Sequence, residues 1–132
     1  MARHTTHNTP DRKRLEANKK IVAILRNVPY EKGFHFYTAP GSFTGETATS
    51  LDAFEKKLQI AVADSVEFHF QRGDFQKWIN DTLGDSELSK RVDSIKLTLP
   101  VEDLRKELLA IIQTCIAQLK RELPHHLRHN HS

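Results

Sequence analysis

His69, Arg72 and Asp74 fall within six residues of one another in Phe68-His69-Phe70-Gln71-Arg72-Gly73-Asp74-Phe75. An imidazole, a guanidinium and a carboxylate at this spacing can form a proton-transfer or anion-binding group. Trp78 comes four residues after Asp74, so on a broken pair of helices His69, Asp74 and Trp78 can face one junction. The loop containing Phe34, His35 and Phe36 could close that junction. This makes His35, His69, Arg72, Asp74 and Trp78 the candidate ligand-binding residues, in a junction that is apolar with a few convergent polar groups. A structural reading of the same residues is preferred. In it Asp74 caps the helix after Gly73, Arg72 pairs with a nearby acid, and His69 is a hydrogen-bonded core residue. Trp78 is then the largest core side chain, giving its indole N–H to a loop carbonyl.

Other chemistry finds little support. Gly41-Ser42-Phe43-Thr44-Gly45-Glu46-Thr47 resembles a phosphate loop, but three residues separate its glycines where four are needed. Glu46 also stands where the phosphate-pairing lysine belongs, so the glycines are assigned to turns. Cys115 sits mid-stripe on an amphipathic segment and reads as a buried, inert thiol. Ser50 and Ser65 sit where helix caps are expected, and no GxSxG, HExxH, CxxC or spaced carboxylate pair occurs. No catalytic residue and no cofactor is therefore assigned. His125, His126, His129 and His131 are a dense set of imidazoles that would bind a transition metal weakly and adventitiously.

These residues must be positioned by a chain of 132 residues with 38% hydrophobic and 8% aromatic content, which suits one domain. A domain of this size buries roughly two-thirds of its unfolded surface and needs neither metal nor disulfide to fold. One cysteine, short apolar runs and a polar start after Met1 argue against disulfide stapling, membrane spanning and a signal peptide, and point to the cytoplasm. The formal charge of +3 is split unevenly. Residues 1–20 carry six basic and two acidic side chains, residues 120–132 three and one, and 21–119 carry 11 and 14, a balance of −3. The basic excess belongs to the ends, so weak nucleic-acid attachment there is an alternative and solvated ends the preferred reading.

Residues 1–10 lack branched aliphatic and aromatic side chains and read as a disordered basic arm. A single helical domain is expected over 11–123, and a His-rich tail over 124–132. Leu15, Ile21, Val22, Ile24 and Leu25 suit a first helix ending at Pro29. Residues 30–49 have loop chemistry with a short extended piece at Phe34 and Phe36 and His35 on its other face. Leu51, Phe54 and Leu58 define a helix capped by Ser50. Asp64 and Glu67 have capping-box spacing, although Val66, Phe68 and Phe70 alternate as a strand would; helix is preferred for 65–70. Gly73 and Gly84 break further helices, and Asp85 begins a short one. Pro100, as the first helical residue, opens the longest helix, 100–123, with a wide stripe running from Val101 to Leu119. The expectation is a mainly α bundle of five or six helices around that helix, with one aromatic-rich loop holding a short strand or hairpin. If the stripe is wider than the domain can cover, a two-fold homodimer through 100–123 is expected.

Ser50-Leu51, Phe54, Leu58, Ser65-Val66-Glu67-Phe68-His69, Arg72-Gly73-Asp74-Phe75, Trp78-Ile79 and Leu83-Gly84-Asp85 with Leu88 resemble a family of small archaeal and bacterial helical domains of unknown function. The resemblance covers about forty residues and departs at Ser89, where alanine would be expected. It implies an accessory or regulatory part, singles out His69, Asp74 and Trp78, and carries no activity. The functional expectation is a non-catalytic module binding a protein partner or small ligand. The alternative is an acid–base or metal-dependent site on His69, Arg72 and Asp74, with His35 as a fourth member.

Overall fold

The computed structural model describes residues 3–124 and 127 of the chain. Helix α1 spans Arg3–Leu25 and is followed by a 3-10 turn at Tyr30–Lys32. Strands β1 (Phe34–Tyr37) and β2 (Phe43–Ala48) form an antiparallel hairpin. Then come α2 (Leu51–Ile60), α3 (Ala63–Arg72), α4 (Asp74–Trp78) with a π turn over Ile79–Leu83, α5 (Ser86–Asp93) and α6 (Val101–Glu122). The chain is thus mainly helical, with the expected long last helix and a two-stranded sheet in the aromatic-rich segment. The ambiguous stretch 65–70 is helix.

Local chemistry accounts for several boundaries. The Ser50 hydroxyl accepts from the Ala53 N–H at 3.1 Å, and Asp85 accepts from the Leu88 N–H at 3.1 Å, so α2 and α5 start on side-chain caps. Helix α1 starts at Arg3, within the stretch expected to be an arm, and ends at Leu25, four residues before Pro29. Val28 is then free to donate its N–H to the Thr49 carbonyl at 2.8 Å, tying the end of β2 to the chain leaving α1. Pro100 is the N-cap of α6, not its first helical residue.

In β1 the side chains alternate, with Phe34 and Phe36 buried and His35 and Tyr37 half-exposed. Phe34 is the centre of the aromatic core: its ring lies 4.7–5.8 Å from those of Phe36, Phe54, His69, Phe75 and Trp78. The hairpin is therefore clamped into the helices through one buried edge. Gly33 makes the approach feasible, because a Cβ there would sit 2.7 Å from the Ala48 carbonyl oxygen.

On α6, Leu104, Leu108, Ile112 and Cys115 are buried, and Leu109, Ile111, Ile116 and Leu119 are half-buried against the same core. Among the described residues no large hydrophobic of α6 is exposed, so the stripe's width is used within the chain and gives a dimer no support of its own. Among the described residues no helix is long and apolar enough to cross a membrane.

Candidate functional site

The α3–α4 corner is made by Gly73, whose φ of 74° lets α3 end and α4 begin with no intervening loop. This placement overturns the cap assigned to Asp74. Gly73 occupies the N-cap position of α4, Asp74 is already helical, and no side chain caps that helix. The Asp74 carboxylate instead turns back over the corner. Its Oδ2 lies 2.8 Å from His69 Nδ1 and 3.1 Å from Arg72 Nε. The remaining ring nitrogen of His69, Nε2, accepts the backbone N–H of Tyr37 at 2.8 Å.

These partners fix the imidazole's protonation. A backbone N–H donates to Nε2, so Nε2 presents its lone pair and the proton sits on Nδ1, directed at the Asp74 carboxylate. His69 is 3% exposed, and this burial holds its pKa below the ordinary histidine value, opposed by the hydrogen bond and charge of Asp74. It is a neutral side chain with both nitrogens engaged, and it fastens the edge of β1 to the helices. The preferred reading of His69 as a hydrogen-bonded core residue agrees with this geometry.

Beside the corner, Gly33, Phe34, His35, Tyr37, Pro40 and Gly41 on one side and Phe68, His69, Arg72 and Asp74 on the other enclose a cleft of about 400 Å³. Pro40 and Gly41 form the corner of a tight turn closed by the Ser42 N–H on the Ala39 carbonyl at 2.9 Å, and Gly41 takes the positive φ of 78° that this turn requires. The Arg72 guanidinium lies 4.9 Å over the Phe68 ring, and half of its side chain is exposed. His35 Nδ1 is 2.8 Å from the Thr47 hydroxyl.

Four of the five candidate residues, His35, His69, Arg72 and Asp74, line this cleft. Trp78 does not. It is buried, its ring 5.8 Å from that of Phe34, and its indole N–H donates to the Lys32 carbonyl at 2.9 Å, the role the structural reading assigns it. Tyr37, Phe68 and the Pro40–Gly41 turn also line the cleft and are not among the candidates read from sequence. Phe68 and Tyr37 adjoin residues that are, and the turn is visible as a Pro-Gly pair.

The other residues considered for chemistry have plainer roles. Ser65 is no cap: it lies in the first turn of α3, fully buried, and Val62 holds the N-cap position without a side-chain bond. The Asp64–Glu67 capping box is likewise absent, because Asp64 is already inside α3 and the N-cap position falls to Val62. Cys115 is buried as expected, its Sγ 3.6 Å from Asp85 Oδ2. Burial, with Asp85 beside it, pushes the thiol up to about 12. Arg12, Lys13, Arg14, Lys19 and Lys20 are exposed on α1. His125, His126, His129 and His131 lie outside the described residues, and among those described no group of three or more His, Cys, Asp or Glu side chains could hold a metal ion.

A helical domain with a clamped hairpin and a polar-walled cleft defines a class of architecture without defining a reaction. The chain belongs to DUF5752, a family of unknown function whose model matches residues 31–131, which takes in the cleft and every helix after α1. Comparison with curated proteins and with solved structures gave no match.

Proposed function

We propose that this chain is a non-catalytic binding module that takes a small ligand, or a protruding group of a partner protein, in the cleft between β1 and the α3–α4 corner. The observation that carries this reading is the state of His69. A general acid or base must offer a nitrogen to the reacting group, and here one nitrogen accepts the Tyr37 N–H while the other donates to Asp74. The cluster that could have moved protons is committed to holding the cleft's two walls together. The cleft's own volume and mixed aromatic and polar lining support a binding role.

The experiment is a fragment titration monitored by amide NMR on the full chain. Saturable shifts confined to residues 33–41 and 68–74 are expected. Shifts scattered over the surface, or none, would remove the reading. Turnover of any substrate that is lost in His69→Gln while the fold and the fragment shifts persist would replace it with the acid–base alternative.

A further inference from the structure

The groups left over in the cleft indicate what it would take. A guanidinium has two donor edges, one through Nε and one through the pair of terminal nitrogens. Asp74 approaches Arg72 at Nε, at 3.1 Å, as an ion pair, and the terminal nitrogens make no hydrogen bond to the described residues. The guanidinium is also approached from two directions, by the Asp74 carboxylate at Nε and by the Phe68 ring, whose centroid lies 4.9 Å from Cζ. A planar fork prepared in this way matches a carboxylate in two parallel hydrogen bonds.

The rest of the lining tilts the same way. His35 uses one ring nitrogen on Thr47. Its Nε2 has no partner among the described residues and is left to face a ligand. Among the described residues the Tyr37 hydroxyl likewise has no hydrogen-bond partner; its backbone N–H is the group bonded to His69. Asp74 is the one carboxylate in the lining, and its Oδ2 is already shared between the His69 N–H and Arg72. The terminal nitrogens of Arg72, which can only donate, therefore tip the unengaged groups towards donors. Between them the walls are rings, those of Phe34, Tyr37, Phe68 and His35, which favour a flat apolar body over a chain.

From this geometry we infer that the cleft selects a small aromatic acid, with the carboxylate on the terminal nitrogens of Arg72 and the ring between Phe68 and the β1 side. The inference rests on the binding-module reading and adds the chemical class of ligand. Arg72 is the residue that determines specificity; His69 and Asp74 position it.

The test titrates benzoate, its neutral isostere benzamide, cyclohexanecarboxylate and inorganic phosphate into the full chain, with amide NMR as the readout. Wild type, Arg72→Lys and Arg72→Gln are compared. Benzoate is expected to shift the amides of His35, Tyr37, Arg72 and Asp74 and to bind about tenfold more tightly than benzamide, the loss expected for one charged pair. It should also bind more tightly than cyclohexanecarboxylate or phosphate. Both variants should keep the wild-type spectrum away from the cleft and weaken benzoate to the level of benzamide, the lysine because it lacks the fork. Benzamide equal to benzoate, or benzoate unaffected by Arg72→Gln, overturns the carboxylate while leaving a binding cleft. Phosphate or cyclohexanecarboxylate equal to benzoate overturns the aromatic acid. If no probe moves a cleft amide at millimolar concentration, the aromatic acid falls, and the binding reading falls with it only if the fragment titration also leaves residues 33–41 and 68–74 unmoved.

Discussion

The chain contains two Gly-Asp steps that look interchangeable, Gly73-Asp74 and Gly84-Asp85, and the fold uses them differently. Both glycines adopt positive φ, 74° and 83°, at the end of one helical segment and just before the next. After Gly84 the chain places one non-helical residue, so Asp85 becomes the N-cap of α5 and its carboxylate accepts the Leu88 N–H. After Gly73 there is none, so Asp74 is already inside α4 and its carboxylate is left for other donors. Those donors lie five and two residues upstream, His69 and Arg72; the equivalent positions before Asp85 are Asn80 and Leu83. The surroundings of the two carboxylates differ too. Asp85 is sunk against α6 with Cys115 as its second neighbour, while Asp74 stands at the wall of a cleft. One residue of backbone separates a structural cap from a group that orders one wall of a cleft.

The sharpest way to break this contrast is to remove the imidazole. His69→Ala leaves the Tyr37 N–H and the Asp74 carboxylate without their partner and opens a hole beside Phe34. A loss of about 2–4 kcal/mol is expected by urea denaturation, the sum of orphaned polar groups and cavity. His69→Gln, which can serve only one of the two partners well, should recover part of it. Asp85→Ala removes a cap from the other step and should cost about 1–2 kcal/mol by the same measurement. If the two losses come out equal, His69 does no more for the fold than an ordinary cap.

Acid separates the two regions next. Because the folded pKa of His69 lies below its unfolded value, the unfolded chain binds the extra proton first. Stability from this group is full above about pH 6.5, the unfolded value. It is lost as the pH falls from there through the folded pKa, because a proton on Nε2 would face the Tyr37 N–H. In Asp74→Asn the carboxylate that raises this pKa is gone, so the folded value drops further and the loss continues to lower pH. Denaturation midpoints between pH 7 and 5 for wild type, Asp74→Asn and His69→Gln test the sign. Loss on acidification that is the same in His69→Gln would assign it elsewhere.

Much of the scaffold is legible in the sequence because it is written in local patterns. Leu51, Phe54 and Leu58 repeat at helical spacing, Ser50 and Asp85 cap, Pro29 and Pro100 punctuate, and Phe34 and Phe36 alternate. The indole of Trp78 also goes where its chemistry requires, to a loop carbonyl. The misassignments at Asp74 and Ser65 share a cause. Each residue type is a good cap, and whether it caps depends on its own backbone angles: Asp85 is non-helical at φ −104° and ψ 86°, whereas Asp74 and Ser65 are already inside their helices, which residue type alone does not dictate. The cleft is half legible. His35, His69, Arg72 and Asp74 stand out by type, but the bond from Tyr37 to His69 spans 32 residues and depends on how β1 docks, which no spacing rule encodes.

The smallest expected effect lies at the second step and reports on how closed it is. Cys115 is buried against Asp85, and with its thiol pushed up to about 12 almost none of it is thiolate at pH 8. Alkylation by iodoacetamide in the native state should therefore be orders of magnitude slower than in urea. Asp85 contributes to that suppression through its charge and as acceptor of the Sγ–H, although burial contributes most. Asp85→Asn removes the charge and leaves an amide oxygen able to accept from the Leu88 N–H, so the cap is largely retained. A modest acceleration of alkylation is expected, smaller than that from partial unfolding and with little change in melting temperature. An acceleration that tracks a falling melting temperature would mean the thiol is protected by the packing of α5 on α6 alone. The carboxylate would then matter at the second Gly-Asp step only as a cap, which would widen the contrast with Asp74, whose carboxylate caps nothing and holds His69 and Arg72 in place.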